Sequence, residues 1–599
     1  FGSSPQLQGP NRSPPRPCAC GAGAAKPAMP VAACCGGGLA DATRTDDAGA
    51  GVGGGAEDPV ARLFTAVRQG NFTEAEKELE AHPQHWHAAD SEGHTLLHWA
   101  ALAGNAAFVS GALKAGVKVD AVAANGQTPF MWAMIKGMVG AAKQLLEAGA
   151  DPLAKDSMGA TPFILTVQHQ QHSALLLLMA MESPEKLFKG SDNNGCGPVH
   201  WAAYKGDLQS LKLLDYFDAD FSSRDEGGMT PLHRAVQASQ PGVCEFLLDK
   251  QVDPSQTDSQ GRTCMDIAKG NHDTAMRRTL DRLLEVVGSA GVQGVVHENN
   301  GDLEDPPGAN LKRRDKSKDE AKELKKKAMQ NAAATFWLVS VSLALFQYLT
   351  DLRTVSWTIA PYASLCFELG VPASLALFFS VALSDPGKVP SRVKGCSGVE
   401  ELLKGFKAGE TPDFSRLCTT TWVLKGLRTK YCVHTGACVD EFDHFCGWLN
   451  VAIGRGNHRP FIFLACVEVC TQLSHIYLCW VCAKRLVEAS SVSDWVLGVA
   501  TQYPLLAFVA LLHSFTSPGI VMLAANQLRL IGINLTTNEM INISRYRHFW
   551  EETDPGAGQR KRKFRNPFNK GSIVLNCFDF WWARRRGDTG PGMHVARAA

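Results

Sequence analysis

Thr95-Leu96-Leu97-His98-Trp99-Ala100 is echoed about 33 residues later by Thr128-Pro129-Phe130-Met131-Trp132-Ala133. The echo continues at Thr161-Pro162-Phe163, Gly197-Pro198-Val199-His200-Trp201-Ala202, Thr230-Pro231-Leu232-His233-Arg234-Ala235 and Thr263-Cys264-Met265, with one short insertion near Leu187. Each unit adds a Gly-containing turn and a second apolar helix, as in residues 141–149, and a degenerate first unit starts at Leu63-Phe64-Thr65-Ala66. A unit of this size cannot cover its own apolar face. About six or seven of them must therefore stack into one helical solenoid, expected over residues 58–287.

The period is that of ankyrin repeats. On either side the composition changes. Residues 1–57 are rich in Gly, Ala, Pro and Ser and hold too little apolar surface to offset ordering entropy, so a disordered tail is expected. The chain opens on Phe1 without a secretory leader, and the expectation is that its true N-terminus is missing. Residues 288–330 form a polar linker ending in a basic run that includes Lys312, Arg313, Arg314, Lys325 and Lys326. Such a run is a solvated helix face or, beside an apolar span, a contact for anionic lipid headgroups.

Four apolar stretches follow, at about 332–349, 359–383, 461–482 and 503–523, each near the ~20 helical residues that cross a bilayer. Basic residues gather in the linker, in residues 388–459 and in the C-terminal tail, which places all three in the cytosol by the positive-inside rule. Lys484 and Arg485, in a loop assigned to the lumen, run against that assignment. The fold class expected is all-α: an ankyrin solenoid joined to a four-helix transmembrane domain (331–390 and 461–527) with a cytosolic cysteine-rich insertion at 391–460 and a C-terminal region at 528–599. A net charge of +1 over 599 residues disfavours a nucleic-acid binder, and 18 scattered Cys do not form the framework of a small secreted chain.

The insertion contains Asp443-His444-Phe445-Cys446. A thiolate is a nucleophile, and an imidazole backed by a carboxylate generates one near neutral pH. The tetrad alone is weak evidence. Its surroundings resemble the Asp-His-His-Cys domain of the protein palmitoyltransferases, over roughly residues 332–582. Ser384-Asp385-Pro386-Gly387 stands after the second span, Thr536-Thr537-Asn538-Glu539 after the fourth, and Asn566-Pro567-Phe568-Asn569-Lys570-Gly571 with Asn576 and Phe580 in the tail. With the repeats, the resemblance narrows to the ankyrin-containing branch. Its members usually carry six spans, four of them ahead of the cysteine-rich domain, where this chain shows two.

The resemblance implies a palmitoyl-CoA donor, an S-acyl intermediate on Cys446, and His444 as base with Asp443 and Thr537 behind it. It also implies clients held by the repeats and a Golgi membrane. Arg428, Lys430, Arg455 and Arg459 are candidate contacts for the CoA phosphates, although ordinary surface basicity explains each nearly as well. Trp99, Trp132 and Trp201 are candidate client anchors, although the same indoles serve equally to brace neighbouring helices.

The family's cysteine-rich domain holds two zinc ions, each on three Cys and one His. Only Cys418, Cys432 and Cys438 remain here, the other positions being Thr421, Tyr431, Thr435, Phe445 and Ala452. The expectation is that zinc is absent, with a single site rebuilt around His434 as the alternative. A catalytically inactive membrane scaffold is the rival function. A cation channel is a distant third, because no filter segment lies between the last two spans.

Overall fold

The computed structural model describes residues 58–270, 276, 316–553 and 561–583, with 316–331 described by backbone alone. The expected tail, most of the linker with Lys312, Arg313 and Arg314, and the end of the chain lie outside the described residues.

The solenoid begins with the helices Pro59–Arg68 and Phe72–Ala81, the degenerate first unit. The first helices of the later units, Leu96–Ala103, Pro129–Lys136, Pro162–Gln168, Pro198–Lys205, Pro231–Gln237 and Cys264–Gly270, stack in sequence. The repeated Thr and His explain themselves. The backbone N–H of Thr95 donates to His98 Nδ1 at 3.0 Å, and His98 Nε2 reaches the Gln127 carbonyl of the next unit at 3.1 Å. His200 makes the same bridge to the Met229 carbonyl. Burial drives His98 down to about 4, so it bridges as a neutral ring. Gly104 and Gly137 end their helices at φ +71° and +68°, a conformation that strains any other residue. The insertion near Leu187 is the extra helix Pro184–Phe188, and it interrupts the layer of second helices between His172–Met181 and Leu208–Tyr216.

Among the described residues four helices are long and apolar enough to cross a membrane: Ala332–Ile359, Pro361–Leu383, His458–Leu486 and Pro504–Gly532. Each contains the matching stretch of sequence, or nearly all of it, and most extend beyond it. The first is interrupted by a π-helical turn at Tyr348–Leu352, where the buried Tyr348 hydroxyl donates to Glu368 of the second at 3.0 Å. The third span packs against both the second and the fourth. A short helix that the sequence did not announce, Val492–Gln502, packs on the fourth.

The architecture is mostly helical as expected, and between the second and third spans the chain adds a few small antiparallel sheets. Lys388–Val389 pairs with Ala437–Val439, which pairs with Lys430–Cys432. Leu417–Cys418 pairs with Val423–Leu424, and His444–Cys446 with Val451–Ile453. Strands of two or three residues are too short for alternation to reveal. The Asp385-Pro386-Gly387 turn seats this module on the membrane helices. Asp385 Oδ1 accepts from the N–H groups of Gly387 and Lys388, and Gly456 donates to the Pro386 carbonyl at 3.1 Å. A Cβ at position 456 would collide with the Asp385 carbonyl, so the Gly is a requirement of close approach.

Candidate active site

His444 and Cys446 stand two apart on one strand, so their side chains share a face. Asp443, just before it, is fully buried and anchored by its N–H to the Ile453 carbonyl at 2.8 Å. Its Oδ2 takes the His444 Nδ1 proton at 2.7 Å, the Thr537 hydroxyl at 2.8 Å and Gln527 Nε2 at 3.2 Å. Its Oδ1 takes the Thr537 N–H at 2.8 Å, with His458 Nε2 3.9 Å away. Burial pushes this carboxyl up, but the charges of His458 and His444 and the hydrogen bonds hold it well below the usual range, so it stays ionised. Burial pulls His444 down. Hydrogen bonds to Asp443 and to the Cys446 thiol, with the charges of both, outweigh that and raise it to about 9. The ring is therefore an imidazolium at neutral pH, oriented by a carboxylate on one side and facing sulfur on the other.

Thr537 reaches this carboxylate because Thr536 caps the short helix Thr537–Ile541, in a capping box with Glu539. Glu539 in turn takes Arg428 through Nε at 3.0 Å and Nη2 at 3.2 Å. The same guanidinium donates to Asn534 Oδ1 and to its carbonyl, and lies 3.8 Å from the Phe568 ring centre. Asn534, Asn566 and Asn576 staple the tail to the end of the fourth span, through Phe568, Ile533 and Gly532 carbonyls respectively. Each of the three sequence motifs flanking the tetrad thus has a mechanical part.

A cavity of 780 Å³ opens beside Cys446 and runs between the first, third and fourth spans. Its wall is largely apolar, with Phe336, Trp337, Phe378, Phe461, Leu464 and Leu523 along it and Glu468, Gln472 and His513 among its lining residues. Volume and lining fall in the range of sites that enclose a small apolar ligand.

The DHHC palmitoyltransferase family profile matches residues 411–544, and ankyrin-repeat profiles match 63–156, 163–258 and 199–278. Palmitoyltransferase AKR1 of Lachancea kluyveri is 27% identical over 317 residues, covering 47% of this chain and 43% of its own. Palmitoyltransferase ZDHHC17 of Danio rerio is 27% identical over 444 residues, 65% of this chain and 66% of its own. The chain carries a DHHC palmitoyltransferase domain behind ankyrin repeats. It spans less than two thirds of the length of either relative.

The sequence-predicted residues of the DHHC domain divide. Cys446, His444, Asp443 and Thr537 come together. Arg428 does not stand free for a phosphate: it is 6% exposed and committed to Glu539, which corrects the sequence expectation. Arg459 is corrected likewise, since its guanidinium donates to the Phe580 and Ala583 carbonyls. Lys430 sits over the Tyr546 ring at 4.0 Å, and Arg455 pairs with Asp440 at 3.2 Å near the surface. In the repeats Trp99, Trp132 and Trp201 are 5%, 2% and 6% exposed, closed inside the stack as braces and not open as anchors. The signal missed was polarity: the Trp132 and Trp201 indoles donate to Gln127 and Asp192 of their own units, at 2.9 Å each. Gln527 and His458, which complete the shell around Asp443, went unassigned.

The residues at the family's metal positions do not fit a zinc ion. Cys418, Thr421, Tyr431 and Cys438 stand at one, with Thr421 Oγ1 3.2 Å from Cys438 Sγ. At the other, Cys432 and Ala452 are buried with Val439 and packed by Phe442 and Phe445, and His434 stacks on Phe445 at 4.1 Å. Two thiols beside a hydroxyl cannot close a tetrahedral site, and one thiol in an apolar cluster cannot begin one. Among the described residues no group of three or more His, Cys, Asp or Glu side chains is placed to hold a metal.

Proposed function

We propose that the protein is a membrane-embedded protein S-acyltransferase that carries a long-chain acyl group on Cys446 and passes it to client cysteines. The observation that carries this reading is the Asp443–His444–Cys446 chain set at the mouth of an apolar cavity between membrane spans. Cys446, its proton passed to His444, attacks the acyl-CoA carbonyl. The carbonyl–sulfur bond to CoA breaks, and the departing CoA sulfur takes the proton from His444. The neutral ring then removes the proton of a client thiol, which attacks the acyl-enzyme and releases Cys446. Asp443 keeps the Nδ1 proton in place, and Thr537 keeps Asp443 in place. The acyl chain lies in the cavity, each buried methylene contributing about 0.8 kcal/mol. Lys430 and Arg455 are the basic side chains left to meet the CoA phosphates.

The repeats recruit the clients, on a surface other than the three indoles. The solenoid, the DHHC domain and the tail lie on the cytosolic side, as loop charge implies, in a Golgi membrane as the family implies. An inactive scaffold is the second reading, favoured by the lost metal ligands. Labelling with a clickable fatty acid separates the two. The wild-type chain should carry hydroxylamine-sensitive label and Cys446→Ser should carry none; label that persists on the variant, or is absent from both, defeats the acyltransferase reading.

A further inference from the structure

We propose that the ankyrin solenoid fastens the front of the DHHC domain at the place where a zinc ion would otherwise fasten it, so the repeats are structural parts of the catalytic module and not an arm tethered to it. Four coordinate bonds to a metal would cross-link the hairpin 417–424 to the strands 430–432 and 437–439. The contacts of Thr421 and Cys418 with Cys438 are a weak substitute. Something else must hold the hairpin.

The repeats announce a missing cover. Residues 174–180 of the second helix His172–Met181 read Ala-Leu-Leu-Leu-Leu-Met-Ala, apolar on every side, and all of them are buried. A helix apolar all round demands packing on both faces. The solenoid covers one face. The other receives the helix Gly398–Lys407, which belongs to the stretch between the second span and the DHHC hairpin. Val399, Leu402, Phe406, Phe414 and Leu417 join the same continuous apolar cluster as the repeat core. Leu417 opens the hairpin itself.

The bracket has a polar edge as well. Ser397 and Glu400 form the capping box of its helix, and the Tyr216 hydroxyl of the solenoid bonds to Ser397 Oγ at 2.8 Å and to Glu400. Lys394 meets Asp218 at 2.5 Å, and the His172 ring stacks on Phe414 at 5.0 Å. The hairpin is tied in directly: Gly398 N–H donates to the Trp422 carbonyl at 2.7 Å, and the Trp422 ring packs on Tyr216 at 4.6 Å. His172 and Tyr216 belong to the second helices that precede and follow the insertion Pro184–Phe188 in the chain.

Hydrogen–deuterium exchange on the full-length chain in detergent micelles, with metal content measured on the same sample, tests this without relying on activity. Wild-type protein should exchange slowly over 417–439 and be indifferent to a strong zinc chelator. Leu402→Asp should accelerate that region about tenfold or more, as loss of a buried leucine from a packed interface does. Tyr216→Phe removes only hydrogen bonds, leaves the fold intact and should accelerate it about fivefold. Stoichiometric zinc whose removal loosens 417–439 would overturn the proposal, and so would wild-type exchange rates there in both variants. The acyltransferase reading can fail on Cys446 while this stands, and the reverse.

Discussion

Two neighbouring parts of the DHHC domain follow opposite rules. Around Asp443 every polar atom is accounted for: both carboxylate oxygens are filled by His444, Thr537 and Gln527, drawn from three separate segments. At the second metal position packing stands where polar groups would, with Phe445 on His434 and Ala452 against Cys432. The difference teaches which requirement is chemical and which is mechanical. A nucleophile cannot be replaced by packing. A fastener can, provided another surface takes up the strain of holding the hairpins, and here the helix Gly398–Lys407 lies on the solenoid to do so.

The largest effect should come from breaking the chemical half. Asp443→Asn keeps the shape but loses the charge that holds the His444 proton on Nδ1 and faces its imidazolium. Acyl-enzyme formation on Cys446, measured in single turnover, should fall by about 10³–10⁴-fold. A loss of less than tenfold would place Asp443 among the fasteners.

Arg428 sharpens the contrast from the other side, because it is a fastener built from charge. Arg428→Met leaves Glu539 buried without its partner and should cost about 3–5 kcal/mol of stability. Adding Glu539→Leu should return most of that, since the pair then becomes packing. Thermal unfolding of the detergent-solubilised protein gives the answer, and a double variant no better than the single one would mean that Glu539 matters through its capping box alone.

What the sequence disclosed follows the same division. Asp443, His444 and Cys446 fall within four consecutive residues, so a local reading could single them out as candidates, and the repeats declared themselves by period. Gln527 lies on the fourth span, 84 positions from Asp443, and nothing in its own neighbourhood marks it. Arg428 was misread because a basic residue near a phosphate-bearing substrate is ambiguous until its partner is seen. The indoles of Trp99, Trp132 and Trp201 were misread for a related reason, since position in a repeat gives no measure of exposure. The bracket was legible in principle: Ser397-Gly-Val-Glu400 is a capping box, and Leu402, Leu403 and Phe406 follow at helical spacing. Its destination was not, because packing between elements far apart in sequence leaves no local trace.

The smallest effect concerns pH and tests how tightly the charged site is coupled. His444 is raised from its ordinary 6.5 to about 9. Below 6.5 the ring is protonated whether the chain is folded or not, so its stabilising pairing with Asp443 is fully present. That contribution declines above 6.5 and is lost as pH rises through about 9. Acyl-enzyme formation should therefore stay level across 6.5, where a free imidazole would already have discharged, and decline only near 9. Asp443→Asn should draw that alkaline limb down toward 6.5 in whatever activity remains. A wild-type limb already centred at 6.5 would mean that the imidazole titrates as if alone, and the carboxylate shell of Thr537, Gln527 and His458 would then be holding Asp443 for shape and not for charge.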